Sequence, residues 1–323
     1  MGTEFRLILY ARDAQRAERA AAAAFARIAQ LDQIMSDYRE TSELSALCRR
    51  AGSGWVPVSS DLFRVLVVAQ EIAQRTNGAF DVTVGPVVRL WRHARRTGEF
   101  PDAERLAKAR ALVGYAKLQL DARRRAVRLI LPGMQLDLGG IAKGYAADEA
   151  MKELRRFGIE RALVVAGGDI VAGAPPPKAA GWKIEVLPFK PSSGAEIRQL
   201  LLSRRAVSTS GDAEQFVEIN GVRYSHIVDP RTGIGLIGPS SVTVIAPTGT
   251  LSDALATAAS VLGPQQGSEL IDSVAGAAAL FLWRDHQGIH SRASKRWSSF
   301  VGRRAILSER GGGSDARKAN GER

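Results

Sequence analysis

Strand-sized apolar runs, each closed by a glycine-, serine- or proline-bearing turn and interrupted by helix-periodic stretches, constrain this chain more than any other feature. Leu163–Ala166, Ala126–Leu131 and Ser241–Ala246 are such runs. None approaches the about 20 residues that a membrane-spanning helix needs. Tight turns join consecutive strands as hairpins, whereas parallel strands need long crossovers. The expected class is therefore α+β: mostly antiparallel sheets with packed helices, in a single compact unit. A length of 323 residues fits one large domain or two intimate ones, because single cores stop growing at roughly 250–300 residues. An apolar content of 45% with 24% charged residues excludes wholesale disorder.

Helical composition or periodicity predicts helices over Asp13–Asp37, Asp61–Thr76, Ala103–Leu112, Ile141–Phe157, Ser252–Leu262 and Gly267–Val274. In the first, Phe25, Ile28, Leu31 and Ile34 suggest a buried stripe; Asn77-Gly78 supplies the stop of the second. Strands are predicted over Phe5–Ala11, Leu118–Leu120, Ala126–Leu131, Met134–Leu138, Leu163–Ala166, Trp182–Leu187, Leu200–Ser203, Phe216–Ile219, Arg223–Val228 and Ser241–Ala246. Ala277–Trp283 is expected to close the sheet. The domain is expected to occupy residues 1–308, with a disordered polar tail over 309–323.

The formal charge is +12, and Arg89–Arg128 alone holds 12 basic and 4 acidic residues. Nucleic acid is the first partner such a balance raises. The segment contains Trp91, Phe100 and Tyr115 but no nucleic-acid-binding motif. A solvated basic face is the preferred reading, and a dock for an anionic nucleotide, a lipid surface or an acidic partner is the alternative. One cysteine, Cys48, excludes an internal disulfide and a cysteine-based zinc cage. Met1-Gly2-Thr3 runs directly into a strand-like segment, so no signal peptide is expected in this chain.

Several turns carry groups suited to chemistry. In Asp137-Leu138-Gly139-Gly140-Ile141-Ala142-Lys143-Gly144 a strand ends in a glycine pair and a helix opens. Free N–H groups and Lys143 then converge where a phosphate could sit, although glycine pairs also serve tight packing. Gly167-Gly168-Asp169 reads as a tight turn or a ligand contact, and Ser208-Thr209-Ser210-Gly211-Asp212 as an oxyanion site or a self-capped turn. His226, one of four histidines, precedes an Asp-Pro turn and is suited to general-base work or to a plain polar role. Asp253 and Thr257, four apart near a helix start, share one face. A carboxylate and a hydroxyl so placed suit Mg²⁺, though Ser252 or Asp253 could equally cap that helix. Gly78–Pro86 reads as a turn followed by a strand, with Asp81 either functional or capping.

Taken in order, MGT, SDYRETSEL (Ser36–Leu44), GAFDVTVGP, DLGGIAKGYA, GGD, STSGD, HIVDPRTG and DALAT (Asp253–Thr257) resemble the FAD:protein FMN transferases, the ApbE family. The resemblance covers Met1 to about Phe300. It implies an ApbE-like, T-fold-related architecture and Mg²⁺-dependent cleavage of FAD, with the FMN half passing to a Thr or Ser hydroxyl of an acceptor protein and AMP leaving. FAD would be substrate and Mg²⁺ the cofactor. Acceptors in the family are flavoprotein subunits or domains of redox systems, often membrane-bound, which implies a periplasmic or membrane-associated home and no nucleic-acid partner. Carried over by motif, FAD would meet Met1, Tyr38, Ala79, Phe80, Asp81, Asp137, Lys143 and the main chain near Val228. Magnesium would sit on the Gly140 carbonyl, Asp253 and Thr257, and His226 would take the acceptor proton. Tyr38 resembles the transferring branch rather than the FAD-hydrolysing one. FAD pyrophosphatase activity, or flavin binding without catalysis, are the alternatives. The chain departs from the family after Leu90-Trp91, where Arg92-His93-Ala94-Arg95-Arg96 replaces an aromatic and glycine-rich stretch.

Overall fold

A computed structural model describes residues 2–186, 198–211 and 215–302; Met1, Leu187, Asp212 and the predicted tail lie outside the described residues. Its helices are α1 (Ala14–Met35), α2 (Glu43–Arg49), α3 (Ser60–Arg75), α4 (Gly85–Thr97), α5 (Ala103–Ala111), α6 (Ala142–Arg156) and α7 (Gly249–Asp272). Its strands are β1 (Phe5–Leu9), β2 (Val56–Pro57), β3 (Leu118–Asp121), β4 (Ala126–Leu129), β5 (Ala162–Ala166), β6 (Asp169–Ala172), β7 (Trp182–Val186), β8 (Arg198–Leu202), β9 (Arg205–Gly211), β10 (Phe216–Ile219), β11 (Val222–Asp229), β12 (Ile234–Ile237), β13 (Ser240–Ala246), β14 (Ala278–Asp285) and β15 (Gly288–Ala293).

Among the described residues every named ladder is antiparallel, as the hairpin-sized turns require. The principal sheet has seven strands in the order β1-β5-β6-β9-β13-β14-β15; its inner strands β5, β13 and β14 are buried on both faces, whereas the edge strands β1 and β15 are partly exposed. Alternation along the strands divides its side chains between two cores. Val164 and Ala166 of β5 and Val242 and Val244 of β13 face α6 and α7, while Leu163 and Ile245 face β7, β8 and Trp297. Helix α1 packs outside α6 through Ala20, Ala24 and Ile28. A three-stranded sheet, β10-β11-β12, rests on α4, where Trp91 is 2% exposed and its Nε1 donates to the Gly233 carbonyl at 2.8 Å. No helix among the described residues is long and apolar enough to cross a membrane.

The local chemistry explains where the predicted elements form and where they do not. Asp13 caps α1 by accepting from the Arg16 N–H, and Asn77 (φ 47°) and Gly78 (φ 77°) end the α3 region in left-handed backbone. The α1 stripe is displaced: Ala20, Ala24, Ile28, Leu31 and Met35 are buried, but Phe25 is 44% exposed. A strict three-residue repeat lags a 3.6-residue helix by about 60° per step, so Phe25 and Ile34 cannot share a face. Met134–Leu138 is extended but not a strand; Met134, Leu136 and Leu138 alternate into the core, while Leu136 N–H meets Cys48 Sγ and Asp137 N–H meets the Val82 carbonyl. The strand predicted after Gly78 is instead a 3₁₀ turn (Val82–Val84) followed by α4, because Asp81 caps the turn and Pro86 sits in the helix's first turn.

Helix α7 begins earlier than predicted. Thr248 caps it, not Ser252 or Asp253, and Gly263 (φ 75°, ψ 178°) before Pro264 breaks it into the two predicted pieces. Ser208–Gly211 is the end of β9 rather than a turn, and β14 does not close the sheet because β15 lies beyond it. Helices α2 and α4 and strands β2, β6, β9, β12 and β15 are not among the predicted elements.

Candidate active site

The site is built by two antiparallel helices in register. Four-residue steps on and before α6 (Gly140, Gly144, Asp148) oppose four-residue steps on α7 (Thr257, Asp253, Gly249). A Cβ on Gly140 would lie 2.7 Å from Thr257 Oγ1. On Gly144 it would lie 2.0 Å from the Gly249 carbonyl oxygen and 2.9 Å from Asp253 Cβ, so only glycine allows this approach. The Gly144 N–H donates to Asp253 Oδ2 at 3.0 Å. One turn on, Asp148 accepts from the Gly249 and Thr250 N–H groups at 2.7 and 2.8 Å, satisfying orphan donors at the start of α7 and complementing its dipole. Residues over a hundred positions apart are fixed in register by hydrogen bonds as well as by packing.

Lys143, next to that seam, gathers the charges. Its Nζ donates to the Gly139 carbonyl at 2.8 Å and lies 3.3 Å from Asp253 Oδ1 and 3.2 Å from Asp169 Oδ2. Asp169 comes from the β5–β6 hairpin, whose turn is Gly167-Gly168, and is 3% exposed. Its Oδ2 has the ammonium as an ion-pair partner but accepts no aligned hydrogen bond. Two carboxylates thus share one ammonium away from water. Burial, then Asp169, push Asp253 up to about 7, against the pull of Lys143; the two carboxylates in turn raise Lys143 above its ordinary value. From β9, Ser210 Oγ lies 3.4 Å from Thr257 Oγ1, and Ser208 Oγ 2.8 Å from Ser252 Oγ.

A pH dependence follows. The folded chain holds the Asp253 proton to about pH 7, whereas the unfolded chain releases it near 3.8. Between those values the folded state binds more protons, so this carboxyl's contribution is full below the lower value and is lost as pH rises through the upper one. The metal-free wild type is therefore expected to lose unfolding temperature between about pH 4 and pH 7 more steeply than Asp253→Asn. Parallel melting curves across that range would remove Asp253 as the responsible group.

A second cluster forms around Arg92 of α4. Its guanidinium donates through one nitrogen to Asp37 Oδ2 and through the other to Asp137 Oδ2, the latter at 2.7 Å. It stacks 4.3 Å over the Tyr38 ring, which is 67% exposed. Asp137 Oδ1 accepts from the Gly139 N–H at 2.8 Å, linking this cluster to the Lys143 turn. Burial, then Asp37, raise Asp137 above the ordinary carboxylate range, and Arg92 opposes them.

The remaining predicted residues are placed as follows. Ala79 and Phe80 are buried, and Asp81 Oδ1 accepts from Thr83 N–H and Oγ1 at 2.8 and 2.7 Å, so this carboxyl is occupied as a cap. His226 and Val228 lie on β11, which packs against α4 and α7. His226 Nδ1 is 3.0 Å from the Gln215 carbonyl. A carbonyl only accepts, so in the neutral ring the proton sits on Nδ1 and the lone pair on Nε2. Asp148 and Arg92 are not among the predicted site residues, and Asp169 enters only as the end of the Gly167-Gly168-Asp169 turn. Asp148 continues the four-residue step from Gly140 and Gly144, which the sequence displays. Two aromatics of the basic segment, Trp91 and Phe100, pack with Tyr224 at ring separations of 5.1–5.5 Å.

Comparison with known proteins identifies the family. The sequence model described as the ApbE family matches residues 1–281. An FAD:protein FMN transferase of Treponema pallidum is 36% identical over 270 residues, covering 79% of this chain and 74% of that protein. One from Klebsiella pneumoniae is 30% identical over 308 residues, covering 93% and 87%. Among solved structures, the flavin transferase ApbE from Vibrio cholerae superposes with a TM-score of 0.84 at 29% identity, covering 93% of this chain and 96% of that one. The ApbE protein of Thermotoga maritima does so with 0.81 at 31% identity, covering 93% and 96%. On sequence and fold together, this chain belongs to the ApbE family.

Proposed function

We propose that this chain, an FAD:protein FMN transferase, cleaves the pyrophosphate of FAD and joins the FMN half to a Thr or Ser hydroxyl of an acceptor flavoprotein, a subunit or domain of a redox system. The acceptor oxygen forms a bond to the FMN-side phosphorus while the bond from that phosphorus to the bridging oxygen breaks. The bridging oxygen leaves with AMP, and the hydroxyl proton passes to His226 Nε2. The observation that carries this reading is the α6–α7 seam, which brings Gly140, Lys143, Asp253 and Thr257 together beside a glycine turn. An oxygen-only set of carbonyl, carboxylate and hydroxyl fits Mg²⁺, and the paired carboxylates of Asp169 and Asp253 exceed the single charge of Lys143. When bound, Mg²⁺ neutralises charge on the pyrophosphate oxygens. Lys143 adds a second positive charge and the glycine turn leaves room for the phosphates, so positioning and electrostatics supply the rate with little covalent work.

His226→Ala is expected to keep FAD affinity and to slow single-turnover transfer by roughly 10²–10⁴-fold. Flavin-fluorescence titration and AMP release with acceptor present check it. Equal losses in affinity and rate would make His226 a binding residue, and AMP release that ignores the acceptor would mark an FAD pyrophosphatase.

A further inference from the structure

An exposed tyrosine ring ordinarily samples several rotamers, yet Tyr38 has one face covered by a guanidinium that is itself anchored twice. Arg92 reaches Asp37, beside Tyr38 in the loop after α1, and Asp137, in the turn before α6. Its side chain is only 22% exposed. The planar fork of arginine can donate to two carboxylates at once while offering its flat face to a ring, which the lysine ammonium cannot do. Arg92 also keeps two carboxylates from facing each other without compensation beside the Gly139 turn, where an anionic ligand would arrive.

We propose that Arg92 is the positioning residue of the dinucleotide pocket: it ties the Tyr38 loop to the Asp137 turn and presets the free face of Tyr38 as a stacking platform for one planar ring of FAD. This rests on the transferase reading above for the identity of the ligand.

The test is FAD affinity by quenching of flavin fluorescence without Mg²⁺, for wild type, Arg92→Ala, Arg92→Lys and Arg92→Ala/Asp37→Asn, with FMN and AMP competing as separate probes and thermal unfolding in parallel. Arg92→Ala is expected to weaken FAD about 10-fold or more, an effect of the size a lost charge-assisted contact gives. Arg92→Lys should fall between it and wild type. Removing the stranded charge in the double variant should recover part of the loss, which a merely structural role for Arg92 would not produce. Loss on FMN alone assigns the platform to the isoalloxazine, and loss on AMP alone to the adenine. Wild-type affinity for all three ligands in both single variants overturns the role of Arg92. Failure of the wild type itself to bind FAD overturns the transferase reading and this inference with it. If the alanine variant does not fold, Arg92→Lys alone decides: affinity equal to wild type overturns the proposal.

Discussion

Asp253→Ala is expected to eliminate Mg²⁺-dependent transfer, with turnover falling about 10³-fold or more and no rescue at saturating Mg²⁺. Asp253 is the carboxylate in the proposed Gly140–Asp253–Thr257 donor set, and it is 2% exposed. It also accepts from the Gly144 N–H and pairs with Lys143, so its removal strips the site of charge and leaves a buried donor without its partner. Lys143 would then keep Asp169 and the Gly139 carbonyl as its partners, with one carboxylate instead of two. Turnover is checked by AMP release, and cation binding separately by calorimetric titration with Mg²⁺. Wild-type turnover in the variant would remove Asp253 from the metal site.

Gly144→Ala is expected to be the most damaging single methyl in this region. The new Cβ would meet the Gly249 carbonyl oxygen at 2.0 Å and its carbon at 2.4 Å, both backbone atoms of a capped helix that cannot swing aside. Helices α6 and α7 must separate. Overpacking of this kind costs about 3 kcal/mol or more, a large share of the roughly 5–15 kcal/mol that holds a domain together. The unfolding temperature should drop by about 6–12 °C, or soluble protein should be lost. Gly168→Ala is the control, since its Cβ would approach only the Thr209 carbonyl, at 3.3 Å. Equal melting temperatures for Gly144→Ala and wild type would contradict the close seam.

These two predictions concern parts of the molecule that differ in how plainly the residues announce them. The class and most elements were legible because hairpin turns, caps and burial periodicity are local signals. Asp81 and Pro86 are also local signals, but Val82-Thr83-Val84 is β-branched and carries strand propensity, so a 3₁₀ turn and α4 form where the sequence predicts a strand. Met134–Leu138 carries the alternation of a strand, but a ladder needs a neighbour, and its neighbours are Cys48 and Val82. Within the site, Gly140, Lys143, Asp253 and Thr257 were picked out by sequence and converge in space. Asp169 is legible only as the end of the Gly167-Gly168-Asp169 turn, read as a turn or a ligand contact, because its partner Lys143 comes from another element; Arg92 is not legible as a site residue, because it meets Asp37 and Asp137 from a helix that the sequence does not announce. Arg92 was visible only as a departure from a pattern.

The central claim is that the seam between α6 and α7 serves transfer of FMN to a protein. The most direct measurement is the intact mass of a candidate acceptor flavoprotein after incubation with this protein, FAD and Mg²⁺, with AMP followed alongside. The account predicts an acceptor mass gain of one FMN moiety, matched by AMP and absent without Mg²⁺ or with Asp253→Ala. AMP formed at the same rate with no gain in acceptor mass, or tight FAD binding with neither product, would contradict it.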